Sequence, residues 1–144
     1  MAPARRAFSP SVQASTGWVL RLSLAVIYTW FGALKLFGLS PADALVARTV
    51  TFLPFEWFFP LLGLWETAIG LGFLFRRTTP VALVLMALQM PGTFLPLLTA
   101  PEAVFTRFPI GLTLEGQYIV KNLVLISAAI AVWADLSRRA DPMK

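Results

Sequence analysis

The sequence contains no cysteine and no histidine, and it is poor in charged residues. Without cysteine there can be no disulfide framework, thiol nucleophile or thiolate metal site. Without histidine there is no imidazole haem ligand, no usual zinc triad and no Ser-His-Asp machinery. Only 13% of the 144 residues are charged, whereas soluble domains carry about 25%. These absences argue against a soluble globular enzyme and against a metal site.

Long apolar stretches make up most of the chain. The sequence is 58% hydrophobic, its mean hydropathy is +0.75, and residues 78–101 form a run of 24 residues without a charge. A bilayer core about 30 Å thick is crossed by roughly 20 apolar helical residues. The sequence therefore predicts an all-α, integral membrane four-helix bundle in a single domain, 17–136, between tails 1–16 and 137–144. The four predicted spans are about 17–37, 58–75, 78–99 and 117–136.

Basic residues predict the orientation of this bundle. Seven of the twelve lie on one side of a four-span chain: Arg5, Arg6, Arg76, Arg77, Arg138, Arg139 and Lys144. Since cytoplasmic connections are enriched in Lys and Arg, both termini are expected in the cytoplasm and the protein in a plasma or bacterial inner membrane. The first apolar run is about 21 residues with no small-x-small cleavage site, so we expect it to remain uncleaved. No basic stripe supports nucleic-acid binding.

The two connections on the opposite side predict short helices at the outer interface. Ser40 precedes a proline and an acidic residue, which is a helix-start pattern, and the helix would run to about Phe52. Thr99-Ala100-Pro101-Glu102 repeats this pattern. Two interpretations are open, since these segments could merely cap the bundle or could roof a cavity that opens outward.

Several polar side chains interrupt the apolar spans at similar depths. Glu66 is about ten residues from Arg76, which places it about 15 Å from that interface. A lone ionised carboxylate at this depth costs several kcal/mol unless it is paired or faces water. Pro91 opens the backbone ladder of the third span beside Gln89, so a kink there would line a pocket or would only bend the helix. The predicted polar cluster comprises Lys35, Glu66, Gln89, Lys121 and Asn122.

This predicted cluster has two interpretations. A structural one pairs Glu66 with Lys35 or Lys121 and holds three helices in register. A functional one makes the cluster a site for a polar headgroup, a proton or a small solute. Three aromatic side chains at this level, Tyr28, Trp30 and Trp65, could stack on a flat ring or simply pack in the core.

The ordered motifs resemble those of the DoxX-like membrane proteins over roughly residues 17–136. The nearest branch is that of the reactive-chlorine-resistance inner-membrane proteins. The resemblance is carried by Arg21, by Trp30-Phe31-Gly32-Ala33-Leu34-Lys35, by the segment 64–72 (LWETAIGLG), by Thr99 to Glu102, and by Gly116 to Asn122.

The resemblance implies a redox-associated membrane protein. Some DoxX-like relatives are associated with quinone-linked oxidation of sulfur compounds or with redox stress, while others in the wider group assist membrane-protein assembly. We expect no intrinsic cofactor, and any quinone chemistry would belong to a bound molecule or partner because Cys and His are absent. The leading hypothesis is a quinone or small-molecule site in the outer half of the bundle. The alternatives are an accessory or assembly subunit of a larger membrane complex, and a small-solute transporter that works as a homo-oligomer.

Overall fold

A computed structural model describes residues 10–140 of the chain as a mainly helical fold. Its helices are α1 (Pro10–Leu36), α2 (Asp43–Thr49), α3 (Phe55–Leu74), α4 (Thr79–Phe94), α5 (Pro96–Thr99), α6 (Pro101–Val104) and α7 (Leu114–Ala140). A two-stranded antiparallel hairpin, β1 (Phe105–Arg107) and β2 (Gly111–Leu112), lies between α6 and α7.

The four long helical segments match the four predicted spans. Those long and apolar enough to cross a membrane are Ser15–Leu36, Phe55–Leu74, Thr79–Thr99 and Leu114–Ala140. Helix α1 begins at Pro10 and α7 continues to Ala140, so the helices extend into the stretches 1–16 and 137–144 that were predicted as tails. The rest of those tails, 1–9 and 141–144, is outside the described residues, and so are the predicted orientation signals Arg5, Arg6 and Lys144.

The long helices form a ring in which each contacts two neighbours. Helix α1 packs against α3 and α7, and α4 packs against the same two helices from the other side. The core between them is apolar: its buried side chains are Leu24, Ala25, Tyr28, Ile69, Phe73, Ala82, Met86, Met90 and Val132. Each helix thus buries one stripe inward and leaves the remaining apolar surface for lipid.

Helices α1 and α3 make the most extensive contact in the bundle, and glycines allow it. A Cβ added at Gly32 would lie 2.5 Å from the backbone nitrogen of Thr67. One at Gly70 would collide with the backbone nitrogen and hydroxyl of Thr29. Small residues let membrane helices approach to backbone contact, and here they fix the antiparallel register of α1 on α3.

The connections at one end of the bundle are short helices and a hairpin. This capped end, formed by α2, α5, α6 and the hairpin, joins α1 to α3 and α4 to α7, and α2 contacts α5 across it. At the opposite end, which we call the arginine end, residues 75–78 join α3 to α4 and carry Arg76 and Arg77.

The first predicted capping helix is shorter than expected. Helix α2 covers Asp43–Thr49 rather than a segment from Ser40 to about Phe52, and Ser40 is not its N-cap. The Ser40 hydroxyl instead accepts the N–H of Ala42 at 3.2 Å. A serine that bonds the backbone two residues on stabilises a turn in competition with a helix start, which explains the later beginning.

The second connection is more varied than the sequence predicted. Pro101 is the first residue of α6, as its pattern indicated, but the residue before it makes no side-chain cap and the helix ends at Val104. The hairpin that follows contains a cis Phe108–Pro109 bond and was not predicted, so the chain is not purely α-helical. Thr113 then caps α7, since its hydroxyl accepts the N–H of Gly116 at 3.0 Å.

The third span is continuous through Pro91 and interrupted later. Helix α4 includes Pro91 and ends at Phe94. A short break at Leu95 precedes Pro96, where α5 begins. A proline lacks the N–H that would continue the ladder and restricts the residue before it. Pro96 therefore marks the end of the regular helix.

Candidate functional site

Three of the predicted polar residues meet in the interior of the bundle. The Lys35 ammonium lies 2.6 Å from Oε2 of Glu66, and the side-chain amide of Gln89 donates to Oε1 of the same carboxylate at 2.7 Å. We call Lys35, Glu66 and Gln89 the polar triad. It links α1, α3 and α4, so the predicted convergence of ionisable groups from separate helices occurs.

The close approach of α1 to α3 places Lys35 where it can reach Glu66. Gly63 is one helical turn from Glu66, and a Cβ built at Gly63 would lie 2.9 Å from Cβ of Lys35. A larger residue there would push the lysine stem away from α3. Lys35 is also the next-to-last residue of α1, so the ammonium runs from the helix end back toward the middle of α3.

The triad is buried and charged. Lys35 and Glu66 are each 8% exposed, so both have lost most of their hydration. A buried ion pair recovers this desolvation cost only when the geometry is good and the remaining lone pairs are hydrogen-bonded. Both carboxylate oxygens of Glu66 meet that condition, one through the ammonium and the other through the amide.

The carbonyl oxygen of Gln89 is the exception. Oε1 of Gln89 is buried and has no hydrogen-bond partner among the described residues. Exchanging the amide's oxygen and nitrogen would set a carbonyl oxygen against the Glu66 carboxylate, so the amide orientation is fixed by charge. A buried acceptor without a donor costs about 1–3 kcal/mol. The triad therefore contains one buried acceptor that no donor among the described residues satisfies.

The three predicted ring contacts lie in different environments. Tyr28 is 5% exposed and belongs to the apolar core of the bundle. Because it precedes Lys35 by seven residues, two helical turns, it shares that face of α1. Trp30 lies on another face and is 64% exposed. The indole of Trp65 donates to the carbonyl of Leu85 at 3.3 Å, which ties α3 to α4 beside the triad.

The two predicted residues of α7 are outside the triad. Lys121 is exposed, and its ammonium lies 5.1 Å from the ring centroid of Tyr118. Asn122 is half-buried and makes no hydrogen bond to another described side chain. Tyr118 and Lys121 are three residues apart, so they are neighbours on one helix face. The structure thus separates Lys121 and Asn122 from Lys35, Glu66 and Gln89.

An apolar groove opens between the end of α1 and the first half of α3. It has a volume of about 490 Å³ and follows the first half of α3 beside the end of α1. Its lining residues are Leu36, Leu53, Pro54, Trp57, Phe58, Pro60, Leu61 and Leu64. Leu36 follows Lys35 directly in the chain. The groove wall itself is apolar, and the triad's polar atoms are not part of it.

A second set of polar contacts, at the arginine end, was not predicted from the sequence. The guanidinium of Arg21 donates through Nε to the carbonyl of Phe73 at 3.2 Å and through Nη2 to that of Leu74 at 2.9 Å. The last carbonyls of a helix lack intrahelical partners, and a cation is favourable there. The only signal in the sequence is that Arg21 lies in an apolar span that contains no carboxylate to pair with it.

Comparison with known proteins does not assign this site. No family model, curated protein or solved structure matches the chain. Among residues 10–140, no group of three or more acidic side chains could hold a metal ion. The candidate site therefore rests on the triad's own geometry.

Proposed function

We propose that this chain is a DoxX-like, redox-associated membrane protein that binds a quinone or a similar small lipophilic molecule at the polar triad. The observation that carries the proposal is the buried, unpartnered Oε1 of Gln89 beside the Lys35–Glu66 pair. The motif resemblance and the setting in four apolar helices support it. Ligand sites combine apolar walls with a few convergent polar groups, so a bound molecule would have to reach the triad from the apolar groove.

The triad would bind the oxidised and the reduced form of a quinone through different hydrogen bonds. A quinol hydroxyl can donate to Oε1 of Gln89, whereas a quinone carries carbonyl oxygens that can only accept. Lys35 has donors beyond the one aimed at Glu66 and can bond such a carbonyl. Since one acceptor already lacks a donor, we expect the hydroxyl-bearing, reduced form to bind more tightly.

Binding of a short-tailed quinol and of the matching quinone to the protein in native-lipid particles tests this proposal. Gln89→Met removes the acceptor while keeping the side-chain length, and Gln117→Met is the matched control, because Gln117 is exposed on α7. We expect Gln89→Met to weaken quinol binding about tenfold, the effect of leaving a hydroxyl unpaired, and the control to bind as wild type.

The outcomes of this experiment are distinct. Equal quinol affinity for wild type and Gln89→Met would exclude the triad as the binding site. Absence of binding to the folded wild-type protein, together with no co-purifying small molecule identified by mass spectrometry, would refute the ligand-binding function itself.

A second candidate, an accessory subunit of a larger membrane complex, is favoured by the surface of α7. This helix is the least buried of the four candidate spans. Its exposed large side chains include Tyr118, Val124, Ile130 and Trp133. Cross-linking from a photoreactive residue at Val124, with the same residue at Val84 of α4 as control, tests it. A partner captured only from position 124 would support the subunit role, and identical products from both would count against it.

The sidedness of the bundle is also a proposal. We infer that the arginine end faces the cytoplasm of a plasma or bacterial inner membrane, with both termini on that side, from the distribution of basic residues. Since the chain lacks cysteine, single Ser137→Cys and Thr51→Cys variants report the two ends directly. An impermeant maleimide applied to intact cells should label position 51 and spare 137. The reverse pattern would invert the topology.

A further inference from the structure

At the arginine end, two hydrogen bonds hold the guanidinium of Arg21 in place and leave some of its N–H donors without a partner among the described residues. Arg21 is anchored by the carbonyls of Phe73 and Leu74 through Nε and Nη2. Its remaining nitrogen, Nη1, bonds to no described residue. Arginine presents five N–H donors in a rigid fork that matches phosphate geometry. The main-chain anchors thus orient free donors without neutralising the charge.

Positive charge is in excess around this guanidinium. Arg76 follows Leu74, whose carbonyl Arg21 bonds, by two residues, and Asp135 of α7 lies against Gly17, one turn before Arg21 on α1. Asp135 is however already paired with Arg139, which donates to both of its carboxylate oxygens at 3.1 Å. Among the described residues, basic side chains outnumber carboxylates at the arginine end, where Asp135 faces Arg21, Arg76, Arg77, Arg138 and Arg139. An anion placed by Arg21 and Arg76 would relieve their mutual repulsion.

Exposed apolar side chains surround these cations. Arg21 lies inside the candidate span Ser15–Leu36, about 21 Å along the helix from Lys35. Near it, Trp18 is 60% exposed, Leu22 38% and Phe75 67%. A soluble anion would gain nothing from these side chains. A phospholipid would place acyl chains against them and its phosphate at the guanidinium, because basic pockets between helices at this level suit anionic headgroups.

We propose that Arg21 and Arg76 bind the phosphodiester of an anionic phospholipid at the arginine end. Arg21 supplies Nη1–H donors to the phosphate oxygens, while Arg76 adds charge from the α3–α4 connection. The α3 carbonyls hold Arg21 in position for this contact. The site is separate from the polar triad and does not depend on the ligand proposed there.

Native mass spectrometry of the full-length protein with equal amounts of phosphatidylglycerol and phosphatidylcholine of the same acyl chains tests the site. Arg76→Gln is the informative variant, because replacing Arg21 would also remove the bonds to α3. Arg48→Gln is the matched control, since Arg48 is exposed in α2 at the capped end. We expect wild type and Arg48→Gln to retain one phosphatidylglycerol in preference to phosphatidylcholine. In Arg76→Gln the ratio of retained phosphatidylglycerol to retained phosphatidylcholine should be about fivefold lower.

Two results would overturn the proposal. Equal phosphatidylglycerol retention by Arg76→Gln and Arg48→Gln would show that the arginine end does not select the headgroup. Displacement of the bound lipid by excess inorganic phosphate would assign the cations to a soluble anion instead.

Discussion

Removing Lys35 and removing Glu66 should destabilise the protein unequally, although the two residues form one ion pair. Lys35→Met leaves the Glu66 carboxylate in the middle of α3, 8% exposed, with only the Gln89 amide as partner. The short glutamate side chain cannot reach either end of the bundle. Removing one member of a buried pair costs about 3–5 kcal/mol of the free energy of unfolding, and we expect Lys35→Met to fall in that range.

Glu66→Gln leaves a cation with an alternative. Lys35 is one residue from the end of α1, and the neighbouring Phe37 is 77% exposed. A lysine at a helix end can extend its ammonium to the interface while its stem stays in apolar surroundings. The cost is then the loss of a hydrogen bond to a charged group, about 2 kcal/mol. Lys35→Met/Glu66→Gln should be close to Glu66→Gln alone, because no uncompensated charge remains.

Reversible unfolding in micelles or bilayers, followed by the fluorescence of the five tryptophans, measures these differences. Lys121→Met is the matched control, since it removes a lysine whose described contact is the exposed ring of Tyr118 and should cost only about 0.5–1 kcal/mol. A Lys35→Met variant as stable as Lys121→Met would refute the reasoning. So would additive costs in the double variant, because they would mean that Lys35 and Glu66 do not interact.

Four further substitutions test the packing and the caps. Gly32→Ala should lose about 1–3 kcal/mol of stability because its Cβ would meet the backbone of Thr67, whereas Gly92→Ala, in open space, should be neutral or stabilising in the same unfolding assay. Arg21→Met should speed amide hydrogen exchange in the last turn of α3, whose carbonyls it bonds, and unchanged exchange would exclude the capping role. Thr113→Val should destabilise the first turn of α7 by about 1 kcal/mol, seen as faster exchange there and not elsewhere.

The spans were predictable because length and charge decide them. About 20 apolar residues between charged positions suffice for a helix that crosses a bilayer, and the candidate spans Phe55–Leu74 and Thr79–Thr99 begin and end within about three residues of the predicted ones. The breaks were less predictable, since Pro91 and Pro96 carry the same local signal. Only the contacts around each proline decide which one ends the helix, and here α4 continues through the first.

The membership of the triad could be predicted only in part. A carboxylate at the depth of Glu66 needs a partner, and the sequence places both Lys35 and Lys121 at a similar depth. A helix that is apolar nearly all round gives little indication of which face turns inward. The rotation of α7, which leaves Lys121 exposed, depends on packing against α1 and α4. The bonds of Arg21 to α3 escaped prediction for a related reason, because their acceptors are main-chain carbonyls that no side-chain motif marks.

The geometry of the triad has one feature that fits a structural role of the ion pair and another that fits ligand binding. The pair satisfies Glu66 completely, which is what a register-fixing contact requires. It also orients the Gln89 amide so that its carbonyl oxygen has no donor. An ion pair with a purely structural role does not need such an unpaired oxygen. Gln89→Met removes the unpaired oxygen together with the amide donor to Glu66, so the binding measurement, with Gln117→Met as control, separates the two interpretations. A fall in quinol binding would mean that the unpaired oxygen is retained for a ligand, and unchanged binding would mean that the triad serves only to hold α1, α3 and α4 together.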